Sequence, residues 1–267
     1  MASLQDQSRG ALQPTCPAAP HGIEELILYI TLGCCAAIAA WLVYRRDLYE
    51  REPLPLLVLT VALGAAAMWL VGTAEDWTFR VSGISGAYAI AAIAAIEEEL
   101  MRVLVVLAVI LAARRHFNDP LDGIIYGSMA GLGMAVEESI QYLRELPPGT
   151  LYMPPAELVR VSGHLVMGGI GAFGLGPAML GWKRWPLILT ASFGVALGLH
   201  FGWDWIVLSA PDRTPGTREA WAGAALMMSG MLVYSALTMV ASNRSRMLFA
   251  PSNPSLLWGW PFVRRAK

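Results

Sequence analysis

The stretch AIAAIEEELMRVLVVLAVI sets Glu98 and Glu99 inside an apolar run long enough to cross a lipid bilayer. A carboxylate at that depth costs several kcal/mol, roughly 2.5 or more, unless a partner or a water-filled cavity receives it. Glu138, His164, His200 and Asp204 interrupt other apolar runs in the same way. The chain must therefore fold so that an acidic, basic set of side chains is enclosed by a hydrophobic body.

The rest of the sequence agrees with a membrane-embedded fold. Of 267 residues, 56% are hydrophobic and only 15% charged, well outside the range of soluble domains. No segment alternates with period two, which excludes a barrel. The expected class is all-α: a polytopic helical bundle with about seven transmembrane helices, near residues 26–44, 54–73, 85–112, 123–143, 160–181, 186–208 and 220–241. The first of these is not a cleaved signal, because its arginines, Arg45 and Arg46, follow it. Three segments result: a disordered Pro-, Ala- and Gln-rich tail over 1–22, the membrane domain over 23–242, and a basic tail over 243–267. A net charge of -1 leaves no footprint for nucleic acid. Cys16, Cys34 and Cys35 have neither disulfide nor thiolate-metal spacing.

Basic residues set the orientation. With alternating spans, Arg45, Arg46, Arg51, Arg114, Arg115, Lys183, Arg184, Arg244, Arg246, Arg264, Arg265 and Lys267 share one side. Arg9, Arg80, Arg144, Arg213 and Arg218 share the other. The richer side is the cytoplasm, so the N-terminus is outside and the C-terminus inside. At about 1.5 Å of rise per residue, Glu98, Glu138, His164 and His200 with Asp204 then reach a common level toward the outer face.

Spacing within each helix adds detail. Glu98 and Arg102, four apart, are expected to face each other, leaving Glu99 in a different environment. His200 and Asp204 share a face, where Asp204 can orient an imidazole or bind a metal. Gly127, Gly131 and Ala135 make a small-residue stripe suited to close helix packing, as do Gly168 and Gly171 after His164. Asp119 and Asp122 are expected to be structural, with Asp122 and Gly123 starting a helix.

Five blocks, in order, resemble the PrsW family of intramembrane proteases: RRDLYEREPLPLL, EEELMR, DGIIYGSMAGLGMAVEES, RVSGHLVMGGIGAFGLG and HFGWD. The match runs from about Asp47 to Asp204. The family is similar in motif order to the CAAX-processing glutamate proteases. The resemblance implies Glu98 and Glu99 as the catalytic acid pair, Glu138 in support, His164 activating water, and His200 with Asp204 at oxyanion or ligand positions. It also implies a bacterial or archaeal cell membrane and a membrane protein or peptide as substrate. Arg102, Met134, Ser139 and Asp204 depart from the family's Lys, Phe, Asn and Asn. Asp204 matters most, because an ionised carboxylate cannot donate to an oxyanion.

Two carboxylates and two histidines can activate water, polarise a carbonyl and protonate a leaving amine. Metal is optional: Zn²⁺ would draw on His164, His200 and Glu138, but there is no HExxH, and the metal-free glutamate mechanism is favoured. Two other classes are considered. A proton-coupled transporter or ion-binding protein would also bury acids and histidines, though no internal repeat is visible. A rhomboid-like serine protease would use Ser85, in the GISG of residues 83–86.

Overall fold

The computed structural model describes residues 22–147, 149–210 and 216–250; Cys16, the segment before 22 and the chain beyond 250 lie outside them. Helices account for all of the regular structure among the described residues. They are α1 (Ile23–Tyr44), α2 (Leu54–Ser82), α3 (Ala87–Ala113), α4 (Asp122–Leu143), α5 (Pro155–Ala172), α6 (Leu175–Met179), α7 (Trp185–Ser209) and α8 (Thr217–Phe249).

Local chemistry sets many of these boundaries. Glu24 and Glu25 in the first turn of α1 face the positive end of its dipole. Proline occupies the first turn of α2, α5 and α7, where its missing N–H costs nothing. The α2 helix stops at Gly83, whose φ of 63° is the left-handed conformation that a side chain resists.

Every predicted span has a helical counterpart, with altered limits. The α2 helix runs past the expected end at 73 to Ser82, and α8 runs to Phe249, so the segment from 243 begins as helix. The span expected over 160–181 starts earlier, at Pro155, and divides into α5 and α6 around Phe173 and Gly174. Among the described residues, five segments are long and apolar enough to cross a membrane: Ile23–Tyr44, Leu54–Ser82, Pro155–Met179, Trp185–Ser209 and Thr217–Phe249. Neither α3, with Glu97, Glu98, Glu99 and Arg102, nor the glycine-rich α4, with Asp122, Glu137 and Glu138, is among them. Both instead bury polar residues inside the bundle.

The axis of the fold is α4, buried around nearly its whole circumference and packed most extensively on α5 and α2. Glycine permits the approach. A Cβ on Gly127 would strike the carbonyl of Gly168, and one on Gly131 would strike the carbonyl of His164. On the opposite face, a Cβ on Gly133 would meet the carbonyl of Val61 and lie 2.8 Å from the backbone nitrogen of Ala65. These contacts hold α4 antiparallel to α5, and the same register continues to Glu138, opposite Glu157 and Arg160. Leu111, Val58, Trp69, Leu187 and Leu232 point outward from the long helices. A polar interior inside an apolar exterior suits lipid as solvent.

The N-terminal end of α4 is anchored by carboxylates. Asp122 Oδ2 accepts the N–H groups of Asn118 and Asp119 at 2.8 Å each. Asp119 accepts from Leu121 N–H at 2.8 Å and from the Ser245 hydroxyl. The expected helix start at Asp122 is observed, but its carboxylate binds the loop before the helix rather than capping the helix itself. Asp47 accepts Glu52 N–H at 2.8 Å, and Tyr126 donates to Glu52. Burial pushes the Asp47 and Glu52 carboxyls up to about 7.

Candidate active site

On α3, Glu98, Glu99 and Arg102 are buried together. Arg102 Nη1 pairs with Glu99, three residues away, while Nη2 stands 3.9 Å from Glu98 Oε2. The expected contact with Glu98 is therefore present at the longer distance, and Glu99 is the nearer partner. Residues three and four apart share a helix face, so spacing alone does not choose between them.

The α7 helix brings His200 between the two acids. Its Nδ1 lies 2.9 Å from Glu99 Oε1, and its Nε2 lies 3.5 Å from Glu98 Oε2. Asp204 Oδ2, one turn on, is also 3.5 Å from Nε2. From α5, His164 meets His200 edge to face, with ring centroids 5.4 Å apart. His164 Nε2 is 3.0 Å from Glu138 Oε2 on α4, and its Nδ1 is 3.0 Å from Arg102 Nη2 and 3.9 Å from Glu98 Oε2.

All six residues singled out in the sequence therefore meet in one cluster contributed by α3, α4, α5 and α7. Each histidine has one nitrogen against a carboxylate, Glu99 or Glu138. His200 turns the other toward Glu98, while the other nitrogen of His164 meets Arg102 Nη2 first, with Glu98 3.9 Å away. Glu98 Oε2 is buried and has no hydrogen bond. Ser85 lies exposed in the turn between α2 and α3, without a hydrogen bond to any histidine among the described residues.

Two members of the surroundings escape a sequence reading. Arg160, at the edge of an expected span, places Nε 3.2 Å from Glu138 Oε1 and also pairs with Glu157. Glu75 lies beyond the expected end of α2, yet its field reaches Asp204, Glu138 and His200. The only signal for Glu75 is the acidic pair it forms with Asp76, which reads as a loop.

The donors also fit a metal ion. One ligand atom each from Glu98, His164 and His200 can be chosen so that all lie within 4.8 Å of one another. A histidine whose second nitrogen faces a carboxylate is the usual form of a metal ligand, because that contact fixes the tautomer. Two imidazoles and a carboxylate suit a zinc-type ion. Glu138 stands behind His164 in this group, with its oxygens turned to Arg160 and His164 Nε2.

The family model described as PrsW family intramembrane metalloprotease matches residues 52–242, from the loop before α2 into α8. The chain belongs to the PrsW family. It is 30% identical over 168 residues to Protease PrsW of Geobacillus kaustophilus, covering 62% of this chain and 73% of that protein. It is 28% identical over 170 residues to Protease PrsW of Bacillus subtilis, covering 61% and 75%. A third PrsW relative, from Clostridioides difficile, is 28% identical over 102 residues, 37% of this chain and 42% of that protein. No solved structure matches the chain. The PrsW match and the apolar helices together make this a multi-pass membrane protein of a protease family.

Proposed function

We propose that the chain is an intramembrane endopeptidase of the bacterial cell membrane, cutting a membrane-anchored protein or peptide near the outer leaflet. The observation that carries this reading is Glu98 Oε2, buried without a hydrogen bond and faced by His200 Nε2 at 3.5 Å and His164 Nδ1 at 3.9 Å. A water entering there meets a carboxylate able to take its proton and two imidazoles able to orient it. Glu99 holds His200, and Glu138 holds His164. Glu98 then returns the proton to the departing amine. Asp204, less enclosed than Glu98 or Glu99, stands beside His200 on the approach to the cluster.

In a metal-bound form, Glu98, His164 and His200 would hold a divalent ion such as Zn²⁺, which supplies a Lewis acid to polarise the scissile carbonyl; Glu98 would then be a ligand and the proton would pass to another carboxylate of the cluster. The topology we infer has seven crossings, made by α1 to α5 with α6 as the continuation of α5, then α7 and α8, with the N-terminus outside. The distribution of basic residues supports it, and so does the shared burial of α3 and α4. The protease domain is 23–242, flanked by an outer tail over 1–22 and a basic inner tail over 243–267.

The test uses purified full-length protein in detergent and a pool of single-span helical peptides. Each peptide carries a donor–quencher pair across randomised residues at its outer juxtamembrane end. Cleavage lost in Glu98→Gln, with near-stoichiometric metal by elemental analysis and loss of activity on chelation, supports both the site and the ion. Cleavage that survives chelation in metal-free protein keeps the site and removes the ion. Full activity in Glu98→Gln removes the reading.

A further inference from the structure

We propose that Arg160 is a positioning residue that holds the Glu138 carboxylate against His164 Nε2; this rests on the site assignment above. A half-buried carboxylate next to two histidines has three options: it can bind an ion, face water, or hold an imidazole. The geometry decides among these through Arg160. Its Nε is 3.2 Å from Glu138 Oε1, which leaves Oε2 turned to His164 Nε2 at 3.0 Å. The imidazole is then set with Nδ1 on Arg102 Nη2 at 3.0 Å and 3.9 Å from Glu98 Oε2.

Arg160 is itself fixed on three sides. Its Nη1 pairs with Glu157 one turn earlier on α5. Its guanidinium carbon lies 4.0 Å from the centroid of the Tyr142 ring on α4. The third contact is Glu138. A planar fork can meet two carboxylates and an aromatic face at once, which a lysine ammonium cannot. The α4–α5 register, set by glycine contacts at Gly127 and Gly131, brings these partners opposite one another. Arg160 thus couples helix packing to the orientation of one imidazole without touching Glu98 or His200.

The experiment is a double-mutant cycle on the full-length protein with the quenched peptide pool described above. Arg160→Gln is expected to lower kcat by about 10 to 100-fold, the range seen when the partner of a functional histidine is removed. KM should change by no more than about twofold, because the lesion lies in the chemical step. Arg160→Lys should recover part of the loss. Combining Arg160→Gln with Glu138→Gln should cost no more than Glu138→Gln alone, since one acts through the other.

Additive losses in the double variant, or unchanged kcat in Arg160→Gln, would overturn the proposal. A merely structural role predicts additive losses and a parallel fall in thermal stability. If Arg160→Gln fails to accumulate, the Arg160→Lys arm decides by the same cycle with Glu138→Gln. The underlying reading is tested separately by Glu98→Gln, so either can fail while the other stands.

Discussion

His200 presents Nδ1 to Glu99 Oε1 at 2.9 Å and so turns Nε2 toward the neighbouring acid, Glu98. Adjacent residues on α3 thereby take different parts. Glu99 is engaged through Oε1 by both Arg102 and His200, whereas Glu98 Oε2 stands 3.5 Å or more from the histidines and Arg102.

Glu98→Gln is expected to abolish peptide cleavage, by about 100-fold or more, with insertion and thermal stability retained. Gln preserves shape and removes the base. Ser85→Ala should cleave at the parental rate. Loss of activity in Ser85→Ala, with full activity in Glu98→Gln, would move the chemistry to the serine.

Asp204 and Glu99 both approach His200, but from opposite nitrogens and at different distances. The sequence reading gave Asp204 the orienting part; the shorter contact belongs to Glu99. Asp204→Asn should therefore reduce kcat by about tenfold, and Glu99→Gln by clearly more, within the 10 to 100-fold typical of histidine partners. Equal activity of Asp204→Asn and the parent across neutral pH would show that Asp204 takes no part.

The acidic end of α4 predicts a pH dependence of stability. Asp47 and Glu52 titrate in the fold near 7, far above an unfolded carboxyl. The fold therefore favours their protonated forms. Their contribution is fully present below the unfolded value near 4 and is lost as pH rises through about 7. Thermal melts in detergent should show Tm falling between about pH 4 and about pH 7, with a flatter slope in the Asp47→Asn, Glu52→Gln double variant. An identical slope in parent and variant would rule these groups out.

The close approach of α4 and α5 supplies a packing test. Gly131→Ala adds a Cβ against the backbone of His164 and should destabilise by about 1 to 3 kcal/mol, the usual cost of overpacking, while displacing the histidine. Gly194→Ala, where nothing lies within 4 Å, should leave both Tm and cleavage unchanged. A silent Gly131→Ala would mean the helices separate without consequence.

Much of this was readable in the sequence, for a definite reason. Carboxylates and imidazoles in apolar runs are too costly to be incidental, so Glu98, Glu99, Glu138, His164, His200 and Asp204 stood out. The small-residue stripe likewise showed the face of α4 that meets α5, though not the equally close approach of Gly133 to α2. What the sequence hid depended on partners from distant helices. Arg102 turns to Glu99 where His200 converges, a choice that spacing on α3 cannot express. Arg160 looks like a charged span edge until Glu138 is placed beside it. The continuation of α2 through Glu75 and Asp76 was masked because two acids in succession resemble an exposed turn.

The burial of Glu98 and Glu99 also bears on how such a protein is made. Their partners His164 and His200 lie on α5 and α7, which leave the ribosome after α3. Until those helices arrive, the nascent α3 offers lipid three consecutive glutamates and an arginine that matches only one of them. Its stable entry into the bilayer must therefore await later segments, so assembly of the reactive cluster and completion of insertion become a single event. A chain truncated before α7 should leave α3 poorly inserted and open to quality-control proteolysis.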